Sequence, residues 1–222
     1  MKLEGKKINF LGDSITVGAL ASRDQKNFVN LLKQSAGLAE ARNYGMNGTR
    51  YAVQLGEERL ERDENIVGNA FTERFDQMDN NADIVVVFGG TNDYGHGDAP
   101  LGCFTDRTPE TFYGACHCLY SGLIEKYIGK TIVIMTPLHR CNEFSRYGEC
   151  SVEGPGTLKQ FVEIIREVAE YYSLPVLDLY AESGLQPEVE AVKDRYFPDG
   201  LHPNDLGHQV IAEKLEAFLK RL

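Results

Sequence analysis

The chain has 222 residues, with 23 Lys+Arg against 33 Asp+Glu, so its net charge is −10. Hydrophobic residues make up 42% and charged residues 25%, enough apolar material for one globular domain spanning residues 1–222. The acidic balance argues against a nucleic-acid partner, since the densest basic stretch is Lys6-Lys7, and no apolar run is long enough to span a bilayer.

The opening MKLEGKKINFLGDS breaks its short apolar stretch with Glu4, Lys6 and Lys7, unlike a secretory signal. Together with five cysteines, an odd number, this predicts free thiols and a cytoplasmic protein. Lys7–Leu11 is the first strand candidate. Ser22-x-x-Gln25 resembles a capping box and predicts a helix through Phe28, Leu31 and Leu32. Arg42–Tyr44 is a second strand. Asp83–Phe88 and Thr131–Met135 are apolar on both alternations, as in strands buried on both faces, with a helix predicted over Thr108–Tyr127 between them. Phe161, Ile165, Val168 and Tyr172 keep helical spacing. Pro175–Leu179 reads as the last strand, and Leu206, Val210, Leu215, Phe218 and Leu222 as the apolar stripe of a final helix. This alternation predicts an α/β fold, a three-layer α/β/α sandwich around a parallel sheet. Tyr94–Thr108 and Leu138–Gly156 fit neither pattern. They are long polar loops that each succeed a strand, a usual place for function.

Ligands of open parallel sheets bind beyond the carboxyl ends of the strands. The first strand leads into Gly12-Asp13-Ser14-Ile15-Thr16-Val17-Gly18, and the second into Asn43-Tyr44-Gly45-Met46-Asn47-Gly48-Thr49. The third leads into Gly89-Gly90-Thr91-Asn92-Asp93, and Pro198-Asp199-Gly200-Leu201-His202-Pro203 lies beyond the last. Each has an ordinary explanation on its own. Ser14 could cap a helix, Gly45 and Gly48 could make a turn, Asn92 could be a cap, and Asp199 with His202 could be a surface turn. As an ordered set they supply a hydroxyl, glycine backbone, a carboxamide, a carboxylate and an imidazole at one sheet edge, the inventory of serine hydrolysis.

These four blocks resemble those of the SGNH hydrolases, the GDSL lipase/esterase superfamily, named for a Ser, Gly, Asn and His in this order. Ser14 matches the first block, with Ile15 where the family name has Leu. Gly48 matches the second, Asn92 the third with its G-x-N-D spacing, and Asp199 and His202 the last with its D-x-x-H spacing. The blocks run from residue 12 to residue 203, nearly the whole chain. The resemblance implies a flavodoxin-like, doubly wound sheet of about five strands. It implies Ser14 as nucleophile, His202 as base and Asp199 as its orienting carboxylate, with Ser14, Gly48 and Asn92 forming the oxyanion hole. It implies no metal and no organic cofactor. The expected substrate is a small ester, with O-acetylated carbohydrate preferred over the longer acyl groups of a lysophospholipase or thioesterase. A non-catalytic flavodoxin-like binding module is the alternative of another class. Packing of the long loops against a second subunit, as a homo-oligomer, is left open.

Cys116-His117-Cys118 falls in a predicted helix, where neighbours two apart face different ways, and no CxxC or HExxH accompanies it. A metal role is not expected. Cys141 and Cys150 share one loop and could pair under oxidation. Asp13 and Asp93 are expected to shape loops through hydrogen bonds, and His208 to be structural. Tyr94, His96, Phe104, His139, Arg140 and Arg146 are candidates for pocket walls, each with solvated loop surface as the simpler reading.

Overall fold

The computed structural model describes residues 1–54 and 69–222. In chain order its elements are β1 (Lys7–Gly12), α1 (Ser14–Val17), α2 (Phe28–Ala36), β2 (Glu40–Gly45), α3 (Phe71–Arg74), β3 (Ile84–Phe88), α4 (Thr91–His96), α5 (Phe112–Lys126), β4 (Thr131–Met135), α6 (Leu158–Tyr171), β5 (Val176–Leu177), α7 (Leu179–Glu182), α8 (Glu190–Tyr196) and α9 (Asp205–Arg221). The five strands form one parallel sheet in the order β2-β1-β3-β4-β5. The expected α/β fold with about five parallel strands is therefore what forms. Leu11 of β1 pairs with Tyr44 on one side and Val87 on the other. The chain builds outward to β2 and then returns past β1 to lay down β3, β4 and β5. That reversal opens a crevice beyond the carboxyl ends of β1 and β3.

Alternate strand residues point to opposite faces and so feed two cores. Ile8, Phe10, Val86, Phe88 and Met135 pack beneath α2 and α9. Leu11, Val85, Val87 and Ile134 pack beneath α5 and α6. β3 is buried along its whole length, which suits its Ile-Val-Val-Val-Phe run. β2, at the edge, is only partly covered and carries the Glu40–Arg42 ion pair, a charged rim that discourages pairing with another sheet.

Several boundaries differ from the sequence reading. Asn27, not Ser22, caps α2, accepting from the Asn30 N–H at 2.9 Å. Ser22 instead donates from its N–H and hydroxyl to Asp205 at 2.7 and 2.8 Å. A contact across 183 residues takes over the local S-x-x-Q pattern. Strand β5 stops after two residues, because the Asp178 carboxylate accepts from the Ala181 N–H at 3.1 Å and starts α7. Thr111 delays α5 to Phe112 by accepting from the Gly114 N–H at 3.1 Å. Tyr94–His96 belong to α4, so the loop beyond it begins at Gly97. The buried stripe of α9 is Gly207, His208, Ile211, Ala212, Leu215 and Leu219, whereas Leu206 and Leu222 are exposed. Counting from Leu206 rotates the stripe, because the residue that anchors it is a buried histidine. No helix among the described residues is long and apolar enough to cross a membrane.

Candidate active site

The carboxyl ends of β1, β2 and β3 deliver three of the four sequence blocks to the crevice, and the turn before α9 delivers the fourth. Gly12 ends β1 where no side chain fits: a Cβ there would lie 2.0 Å from Thr16 Oγ1 and 2.7 Å from the Phe88 carbonyl. The chain can therefore turn sharply into α1. Asp13 caps that turn by accepting from the Ile15 N–H at 2.9 Å, and Ser14 is the first helical residue, 8% exposed.

Ser14 Oγ lies 2.9 Å from His202 Nε2. His202 Nδ1 lies 2.7 Å from Asp199 Oδ2, while Asp199 Oδ1 accepts from the backbone N–H groups of Leu201 at 2.9 Å and His202 at 2.7 Å. The carboxylate thus holds both the backbone and the ring of His202. Burial would raise the Asp199 carboxyl, but the His202 ring and these two N–H groups outweigh it and keep it below the usual carboxylate range. With Nδ1–H donating to Asp199, Nε2 is left as an acceptor facing the Ser14 hydroxyl.

Opposite this row, Gly48 sits at φ +71°, a left-handed turn that glycine adopts without strain. Asn92, 4% exposed, donates from Nδ2 to the Thr49 carbonyl at 3.0 Å. Ser14, Gly48, Asn92, Asp199 and His202 all line one open cleft of about 620 Å³. Every residue predicted for the triad and the oxyanion hole is therefore brought to that cleft.

The frame beneath consists of buried charge. Asp93 accepts from the Tyr51 N–H at 3.0 Å and the Ala52 N–H at 3.1 Å, tying the loop after Gly48 to α4. Burial pushes its carboxyl up to about 6 against the pull of those N–H groups. Burial likewise pushes Asp13 up to about 7, opposed by the Ile15 N–H and by His202. Both residues shape loops, as their positions beside the blocks suggest. Arg74 is not singled out by the sequence. Its guanidinium donates to the carbonyls of Gly12 (2.6 Å), Tyr44 and Asn69 (3.1 Å) and to Thr49 Oγ1 (3.1 Å), joining the ends of β1 and β2. Burial lowers it to about 10, with Asp13 resisting. An isolated arginine in polar sequence carries no signal of this role.

Of the candidate wall residues, His96 and Arg140 line the cleft. Tyr94 is buried behind it, its hydroxyl donating to the carbonyls of Asn142 and Ser145. Phe104 packs on Tyr113, His117 and Tyr171 instead. His139 is bound to the buried Glu143 at 2.8 Å, and Arg146 pairs with Glu153 at the surface. Asn47, Cys141, Asn142 and Glu149 also line the cleft, and the sequence reading misses them. His208 is structural: it stacks on Phe28, and its Nε2 faces the Ala19 carbonyl at 3.3 Å. Cys116 and His117 are buried in α5, and all five cysteines are free. No group of three or more His, Cys, Asp or Glu among the described residues is arranged to hold a metal.

The family model of the GDSL-like lipase/acylhydrolases matches residues 10–210. The chain belongs to this family. It is accordingly a hydrolase of the lipase/esterase type. A GDSL-like sheet recurs in solved structures. A protein of Lactobacillus plantarum is 30% identical, with 98% of each chain covered and a TM-score of 0.82. A possible lipase from Chitinophaga pinensis is 21% identical over 97% of this chain and 98% of its own, with a TM-score of 0.67. The lipase/acylhydrolase from Enterococcus faecalis is 22% identical over 97% and 95%, with a TM-score of 0.63. The last two likenesses concern the fold. No curated protein matches the sequence significantly.

Proposed function

We propose that this hydrolase is a serine esterase that removes O-acetyl groups from carbohydrates. The observation that carries the proposal is the row Ser14–His202–Asp199, linked at 2.9 and 2.7 Å, in a cleft whose only aliphatic linings are Ala19 and Leu201 among the described residues. In this reading Ser14 Oγ attacks the ester carbonyl as Nε2 of His202 takes its proton. Asp199 holds the imidazolium that results. Negative charge on the carbonyl oxygen is met by the N–H groups of Ser14 and Gly48 and by Asn92 Nδ2. His202 then returns its proton to the leaving alcohol, and water, activated by the same ring, releases acetate. A cleft lined mainly by polar residues suits a short acyl group and a hydroxyl-rich alcohol. A cytoplasmic setting goes with this reading through the five free thiols.

A second reading rests on Val17, Leu20 and Met46. These exposed apolar side chains, Val17 at the end of α1, Leu20 just beyond it and Met46 after β2, lie on the segments that bring Ser14 and Gly48 to the cleft, where a longer acyl chain of a lysophospholipid or thioester could rest. Hydrolysis of p-nitrophenyl acetate, butyrate and octanoate, run beside Ser14→Ala, separates the two. We expect activity to collapse beyond acetate and to fall by about 10⁴ or more in the variant. Rates that climb with chain length would select the second reading. No turnover of any ester, with no labelling of Ser14 by a fluorophosphonate, would leave a binding module.

A further inference from the structure

Asn92 can stabilise an oxyanion only if its amide nitrogen, not its amide oxygen, faces the cleft. Its environment leaves one arrangement. The Thr49 carbonyl, 3.0 Å away, can only accept, so the atom facing it is Nδ2. Oδ1 then faces His96 Nε2 at 3.2 Å, and that nitrogen must carry a hydrogen to donate. On the far side of the ring, Nδ1 meets Nη2 of Arg50. A guanidinium has donors and no acceptor, so Nδ1 must be a bare acceptor. Read from either end, the chain of bonds requires neutral His96 with its hydrogen on Nε2.

The elements make this chain of bonds rigid. Asn92 and His96 are four residues apart in α4 and share one helix face. Arg50, 8% exposed, comes just after the Gly48-Thr49 turn, and its Nη2 also donates to the His96 carbonyl at 3.3 Å. The carbonyl of Arg50 is held by the Phe71 N–H at 2.7 Å. Thr49 is fixed in turn by Arg74 through its hydroxyl at 3.1 Å. One Nδ2 hydrogen of Asn92 is spent on Thr49, and the other is left for the cleft.

We propose that Arg50 and His96 are positioning residues for the oxyanion donor. Arg50 sets the tautomer of His96, and His96 sets the orientation of the Asn92 carboxamide. The inference rests on the esterase reading above. It assigns work to two residues that neither attack, protonate nor touch the reacting carbonyl. A donor that serves only the transition state acts on kcat and leaves KM in place.

The test is a double-mutant cycle with p-nitrophenyl acetate. Alone, His96→Leu should lower kcat by about tenfold or more and leave KM within about twofold, a fraction of the roughly 10²–10³ expected for losing the Asn92 donor itself. In the Asn92→Ala background the same change should cost less than about twofold, because the group it positions is gone. His96→Gln, whose amide N–H reaches toward Oδ1, should recover most of the lost kcat. Arg50→Met should repeat the kcat effect in a protein that keeps His96, which covers the case in which His96→Leu fails to fold. Equal losses from His96→Leu with and without Asn92 would overturn the proposal, as would an effect confined to KM. Full kcat in Asn92→Ala beside an inactive Ser14→Ala would overturn it differently, by removing the oxyanion role while sparing the nucleophile. Activity surviving in Ser14→Ala would bring down the esterase reading itself.

Discussion

At the scale of the residue, identical chemistry is given different work by burial. Asp13, Asp93 and Asp199 all stand beside the cleft. Asp199 is only partly covered and is held below the usual range by the His202 ring and the Leu201 and His202 N–H groups, as suits a carboxylate that must stay charged beside an imidazolium. Asp13 is buried, and its carboxyl is pushed up to about 7 from an ordinary 3.8. As pH falls, the folded chain takes up that proton before the unfolded chain does. Asp13 therefore favours folding at low pH, and that contribution is lost as pH rises through about 7. Asp13→Asn keeps an acceptor for the Ile15 N–H and removes the charge. Thermal melts should find the variant more stable than the parent near pH 8, by up to about 4 kcal/mol, with the gap closing towards pH 4. A gap independent of pH would mean that Asp13 binds its proton equally well in the folded and unfolded chains. Asn92 is legible in the G-x-N-D block, yet its hydrogen-bond direction is not, because Thr49 and His96 fix it from outside the block. Asn92→Ala should lower kcat by roughly 10²–10³ with little change in KM, read from steady-state rates.

At the scale of the element, strands are easier to read than helix ends. Two strands buried on both faces declare themselves by composition, as near-continuous apolar runs rich in β-branched residues. Helix starts depend on which polar side chain wins the first-turn N–H groups. The S-x-x-Q pattern points to Ser22 as the cap of α2, but Asp205 draws Ser22 away and Asn27 takes the first-turn N–H instead. The apolar stripe of α9 is misread for a similar reason: its first buried side chain is His208, and a count of apolar residues passes over it. The start of α9 matters to the site, because Asn204 comes directly after His202-Pro203 and accepts from the Leu206 and Gly207 N–H groups at 3.0 and 3.2 Å. Asn204→Ala should cost about 1 kcal/mol in urea unfolding, the usual worth of such a cap. It should also lower kcat modestly by loosening the turn that carries His202. Full activity with that loss of stability would show that the Asp199 bonds hold the turn unaided.

At the scale of the whole molecule, the site is a product of the sheet reversal. Ser14 and His202 are 188 residues apart, and their hydrogen bond exists because α9 returns the end of the chain to α2 beside β1. Phe28 lies at that seam. Its ring meets Phe10 and Phe88 edge-on, each at 5.9 Å, and stacks on His208 at 6.2 Å. Phe28→Ala should destabilise the fold by about 3–5 kcal/mol, measured by urea unfolding. Below its melting temperature it should also lose activity, because His208 and the Ala19 turn behind Ser14 lose their support. A stability loss under about 1 kcal/mol would place the seam's strength elsewhere.

The sequence by itself determined the α/β class, the approximate number of strands and the four blocks that meet at the cleft. Hydrophobic alternation and short motifs are local properties and survive without a fold. It also marked Asp13 and Asp93 as loop-shaping, since each is fixed beside its block by spacing alone. The tertiary structure decided everything that depends on a partner distant in sequence. Burial set which carboxyls rise and which stay low. Competition for N–H groups set where helices begin. The joining role of Arg74, and the contacts of Arg50 and His96 behind Asn92, came from loops that only the folded sheet brings within hydrogen-bond reach.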